Sequence, residues 1–150
     1  MEHRKQDSEF KSTLTVKDFV KDNGSRCLGG FYIPDVVLEN NDTDAVIFFE
    51  SSTTNDRKVH IGELTQFLTY INTGQEKRGN AYLVLFLNGC SASSPTAETE
   101  FQRLQYYFNN FMMKNSERDK IKGIYIANQS EVDICKLTLD SIKEFKRIDL

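Results

Sequence analysis

Cysteine is scarce, and its placing rules out linkage. Cys27, Cys90 and Cys135 are an odd number, far apart and without a CxxC pair. That spacing excludes a disulfide framework and a cysteine zinc site. Reduced thiols packed as small hydrophobes are the plainer reading. No apolar run approaches the length that a membrane span needs. The opening MEHRKQDSEF carries no apolar signal segment, which predicts a cytoplasmic chain with no membrane partner. An excess of basic residues is missing too, since the net charge is −3. A dedicated duplex-binding module is usually basic, because neutralising phosphates supplies most of its affinity. An acidic balance weighs less against an enzyme whose site must itself be acidic. There is no Walker motif, no GxSxG and no HExxH.

What the chain does have is aromatic mass. Eleven Phe and six Tyr argue against disorder, because burying rings drives collapse. With 150 residues it fits one domain, residues 1–150, long enough to bury a core without staples. Residues 1–7 read as a loose terminus in which His3 has no role. No internal repeat or linker interrupts the rest.

Ser8 can cap a first helix running to about Asp22, with Phe10, Leu14, Phe19 and Val20 near helical spacing. Short strand-like runs follow at Arg26 to Ile33, Asp35 to Glu39 and Ala45 to Ser51, with a turn in ENNDTD. The run VIFF suggests a central strand covered on both faces. Ile61, Leu64, Phe67, Leu68 and Ile71 make the core stripe of a helix over Val59 to Asn72. AYLVLFL is a second buried strand, a long helix runs from about Thr96 to Lys114, and IKGIYIA is a further strand. Ser130 can cap a last helix carrying Val132, Leu137, Leu139, Ile142 and Phe145.

The order α-β-β-β-α-β-α-β-α predicts an α/β fold. Three neighbouring strands form an antiparallel meander; the later strands add in parallel through helical crossovers. The sheet should hold about five strands, flanked by helices.

Chemistry concentrates at one strand end. Asp35 starts the second strand after Pro34, and Glu50 ends the third. If those strands form a hairpin, the two carboxylates lie side by side. Paired carboxylates repel, raise a pKa or share a cation. Mg²⁺ binds through one or two carboxylates, waters and substrate phosphates, and can support phosphodiester cleavage. Ser52 is two residues past Glu50, so both face one side. On the following helix, Glu63, Gln66 and Tyr70 fall at i, i+3 and i+7, on a face away from the core stripe. Each of these also has a plain reading. Asp35 alone fits a strand start, Glu50 a solvated strand end, and Arg57 and Lys58 a polar loop. His60 fits a packed or half-exposed histidine. Tyr106, Tyr107, Phe108, Phe111, Met112 and Met113 exceed one helix face. Some of them should be exposed, so the helix near 101–113 is a candidate surface for a second copy or another protein.

Pro34-Asp35, Glu50-Ser51-Ser52 and Gln66-Phe67-Leu68-Thr69-Tyr70 resemble, in order and spacing, the PD-(D/E)XK nuclease superfamily and its RecB-like branch with a QxxxY motif. The restriction-endonuclease-like core of that superfamily is similar to the expected α-β-β-β-α-β order. The resemblance implies a Mg²⁺- or Mn²⁺-dependent deoxyribonuclease. Asp35 and Glu50 would hold the metal, with the Ser51 carbonyl and, more remotely, Glu9 adding ligands. Gln66, Tyr70 and Glu63 would position substrate or the metal's surroundings. The departure is Ser52, where the superfamily has lysine. Either Lys58 supplies the charge, or a polar residue suffices, or catalysis is lost and the domain serves as a nucleic-acid-binding or assembly module.

Overall fold

The computed structural model describes residues 2–22, 32–54, 56–89, 92–111 and 116–150. Cys27, Cys90, Met112, Met113 and most of the expected strand Arg26 to Ile33 lie outside them, as do the side chains of His3 and Phe111. Helix α1 spans Glu2–Thr13. Strands β1 and β2 are Val20–Lys21 and Val36–Asn40. Strand β3, Ala45–Ser52, leads to helix α2, Arg57–Asn72. Strand β4 is Asn80–Leu87 and helix α3 is Ala97–Phe111. Strand β5, Ile121–Asn128, is followed by the short helix α4, Leu139–Ile142, and strand β6, Lys146–Arg147.

The six strands form one mixed sheet in sequence order. β1, β2 and β3 are an antiparallel meander. β3, β4 and β5 run parallel, and β6 closes the far edge antiparallel. A two-residue turn cannot join parallel neighbours, so α2 and α3 make the crossovers. β3 and β4 are the central strands. Phe48, Phe49, Leu83 and Val84 are fully buried, consistent with cover on both faces.

Successive side chains alternate between two cores. Val46 and Phe48 meet Leu64, Phe67 and Ile71 of α2 and Leu104 of α3. Ile47 and Phe49 meet Phe10 and Leu14 of α1 and Ile142 of α4. Truncating Phe48 or Phe49 to alanine should cost about 3–5 kcal/mol, the usual penalty for emptying a buried ring site.

The ends of the chain depart from the pattern reading. α1 stops at Thr13, so Phe19 and Val20 are not helical, and Val20 is an exposed strand residue. The Ser12 and Thr13 hydroxyls bond back to the Glu9 carbonyl, and Asp18 turns the chain with φ 69°. The stretch Thr13-Leu14-Thr15-Val16 is rich in β-branched residues, which suit extended backbone. α1 also begins at Glu2, so Ser8 lies inside it and caps nothing. The expected last helix shrinks to Leu139–Ile142. Thr138, not Ser130, caps it through a reciprocal pair of bonds with Ser141. Val132, Ile134 and Phe145 still pack on the second core, but from irregular backbone. Among the described residues no helix is long and apolar enough to cross a membrane.

Candidate functional site

The β2–β3 hairpin sets the site. Val36 pairs with Phe49, so Asp35, one residue earlier, falls opposite Glu50. The Asp35 amide points at Glu50 Oε2 over 3.4 Å, and the Ser51 amide donates to Asp35 Oδ2 at 2.9 Å. Each residue thus ties the other's strand end. Glu50 is buried. Its side chain shares a sheet face with Phe48 and with the Ser52 hydroxyl, while Ser51 faces the other way and donates to Gln129 Oε1 at 2.6 Å.

Glu63 joins from the second turn of α2. Burial, the Asp35 charge and the Glu63 charge push the Glu50 carboxyl up to about 9. Burial and Asp35 push Glu63 up to about 8. Tyr32 closes the cluster from below. Its ring packs on Phe48 and Tyr70 with centroids 6.0 and 5.9 Å away. Burial and then Glu50 and Glu63 hold its phenol well above the ordinary value. The Tyr32 hydroxyl is turned toward Glu50, and the hydrogen bond between them lowers the Glu50 carboxyl by less than burial raises it. Close acidic groups are what a cation with its waters would relieve.

No family model, curated protein or solved structure matches this chain. The site therefore stands on its own geometry.

That geometry sorts the residues expected from sequence. Asp35, Glu50 and Glu63 come together. Ser52 is buried on the Glu50 side of the strand. Lys58 is exposed in the first turn of α2, where its amide is capped by Asp56. Among the described residues it has no ion pair with the three acids. Gln66 is exposed. Tyr70 is not on an open polar face: its ring packs on Phe48 and Tyr32. Its hydroxyl donates to Glu76 Oε2 at 3.1 Å, toward the far end of α2. Glu9 is exposed on α1 and makes no side-chain contact with the cluster among the described residues. Asp35 and Glu50 suit a hard cation, which takes carboxylate oxygens. Even so, among the described residues no three His, Cys, Asp or Glu side chains stand close enough to hold one ion.

Three contributors escaped the sequence reading. Lys11 of α1 places Nζ 3.4 Å from Asp35 Oδ1. Tyr32 carried a signal only in being an aromatic two residues before Pro34-Asp35. Glu100 forms a separate buried cluster: its carboxylate meets His60 Nδ1 and Arg103 Nη2 at 2.8 Å each, and Arg57 Nε at 3.3 Å. Burial alone would raise Glu100, but the hydrogen bonds and charges of Arg103 and His60 outweigh it and hold the carboxyl below its ordinary value. His60 is thus a packed histidine that pins the start of α2 to α3.

On the long helix, Tyr106 is 64% exposed while Leu104 and Phe108 are buried. Among the described members of the aromatic stretch, Tyr106 is therefore the exposed ring.

Proposed function

We propose that this chain is a metal-dependent DNA nuclease of PD-(D/E)XK type. The observation that carries the reading is the Asp35–Glu50 pair at the end of β3, with Glu63 and Tyr32 within electrostatic reach of it. Asp35 and Glu50 would hold Mg²⁺ or Mn²⁺, with the Ser51 carbonyl beside them. When bound, that ion supplies a Lewis acid next to the scissile phosphate.

The chain's own residues would do the rest. Glu63, once the bound ion has displaced its proton, would be the carboxylate that takes the attacking water's proton. The water oxygen bonds to phosphorus and the bond to the leaving sugar oxygen breaks. The leaving oxygen takes its proton from solvent. Ser52 can hydrogen-bond a water on the Glu50 side, and Lys58 is exposed where a phosphate could meet it. Incubating the protein with Mg²⁺ or Mn²⁺ on single-stranded, duplex and branched DNA tests this. Cleavage that disappears in Asp35→Ala is expected; no cleavage of any substrate defeats the reading.

A second reading keeps the architecture without the chemistry, as a nucleic-acid-binding or assembly module. The spread of the acids, with no three at ligating distance among the described residues, favours it. The exposed Tyr106 favours its assembly form. DNA affinity or self-association without metal-dependent cleavage would select this reading.

A further inference from the structure

Among the described residues, the ion pair made to this acidic cluster comes from α1. Lys11 Nζ stands 3.4 Å from Asp35 Oδ1. Among the described residues, neither Glu50 nor Glu63 has any ion pair. Lys11 comes from α1, which packs on the sheet face opposite α2; at the strand end both faces are within reach of Asp35.

The ion pair is not what seats α1. Phe10 and Leu14 flank Lys11 and are buried, and Phe10 packs edge-on against Phe86 with centroids 5.9 Å apart. The helix is therefore anchored apolarly and carries the ammonium to the cluster as a consequence. The Lys11 side chain is 52% exposed and that of Asp35 27%. A pair so open to water contributes about 0–1 kcal/mol. Its four-carbon stem is flexible and its charge compact, so the ammonium can change partners without moving the backbone.

We propose that Lys11 is the exchangeable counter-ion of this site: it pairs with Asp35 until a divalent cation takes that carboxylate, and then presents its ammonium to the bound phosphate. The inference rests on the nuclease reading. It gives the positive charge that Ser52 cannot supply a source on α1 rather than on α2. No covalent bond is made or broken in the exchange.

Manganese titration by calorimetry, paired with DNA cleavage, tests it on the full chain, Lys11→Met and Lys11→Arg. Thermal melts confirm that each variant folds. Lys11→Met should bind Mn²⁺ about fivefold more tightly, the equivalent of losing a competitor worth about 1 kcal/mol. The same variant should cut DNA about 100-fold more slowly or worse, the loss usual for one electrostatic contact at a reacting group. Lys11→Arg should recover part of the rate. If Lys11→Met leaves either the Mn²⁺ affinity or the cleavage rate unchanged while the wild type cuts DNA, Lys11 is excluded and the nuclease reading survives. If the wild type neither binds Mn²⁺ nor cuts DNA, both fall together.

Discussion

Asp35 and Glu50 are joined crosswise at the mouth of the β2–β3 hairpin. The Asp35 amide is directed at the Glu50 carboxylate at 3.4 Å, while the Asp35 carboxylate accepts the next amide along, that of Ser51, at 2.9 Å. Neither acid is therefore a loose strand end. The backbone fixes one against the other, and Glu63 and Tyr32 are near enough to feel their charge.

The arrangement makes stability depend on pH in a defined sense. Burial first, then Asp35 and Glu63, lift Glu50 from 4.5 to about 9. Between those values the folded chain keeps a proton that the unfolded chain has released. Stability from this group is complete below about 4.5 and is lost as pH rises toward about 9. Without divalent ions, the melting temperature should fall across that window, and Glu50→Gln should flatten the fall and stabilise the protein at its alkaline end. Calorimetric melts in chelator check this; an unchanged slope in Glu50→Gln would mean that Glu50 is not held neutral.

The Glu100 cluster should behave in the opposite way. Glu100 is fully buried among His60, Arg103 and the half-exposed Arg57. Its lowered carboxyl contributes stability that is present above 4.5 and is lost as pH falls through the folded value. Glu100→Ala should destabilise by about 3 kcal/mol, because His60 and Arg103 are left without their shared partner. Urea unfolding near neutral pH measures it, and a loss under about 1 kcal/mol would show that the cluster contributes no more than an exposed pair.

Tyr70 separates packing from positioning. Its hydroxyl is committed to Glu76, itself buried, and its ring to Phe48 and Tyr32. Tyr70→Phe should destabilise by about 1–2 kcal/mol, the cost of an unpaired buried acceptor. Mn²⁺ affinity should not change. A weakened affinity, measured by calorimetry, would return Tyr70 to the site.

These contrasts show what the sequence could reveal. β3, β4 and the core stripe of α2 were legible because apolar runs and 3.6-residue spacing are local signals. The pairing of Asp35 with Glu50 was legible because a short turn between two strands fixes register. The end of α1 was not, since Phe19 and Val20 continue an apolar rhythm past a break made by hydroxyl back-bonding and the turn at Asp18. The last helix was misread because Val132 and Phe145 are apolar for packing on the second core, not for helical periodicity. Tyr70 shares a helical wheel sector with Glu63, and only tertiary packing decides that one is core and the other faces Glu50. Lys11 and Tyr32 come from segments remote from β3, so their arrival depends on how the layers stack.

Mn²⁺ calorimetry on the wild type and Asp35→Asn, across pH, decides whether Asp35 and Glu50 hold an ion. Glu50 and Glu63 must give up protons held to about 9 and about 8, so binding releases protons and should tighten as pH rises. A single Mn²⁺ site with that pH dependence is expected in the wild type, abolished in Asp35→Asn. No binding by the wild type, or equal binding by Asp35→Asn, would contradict it.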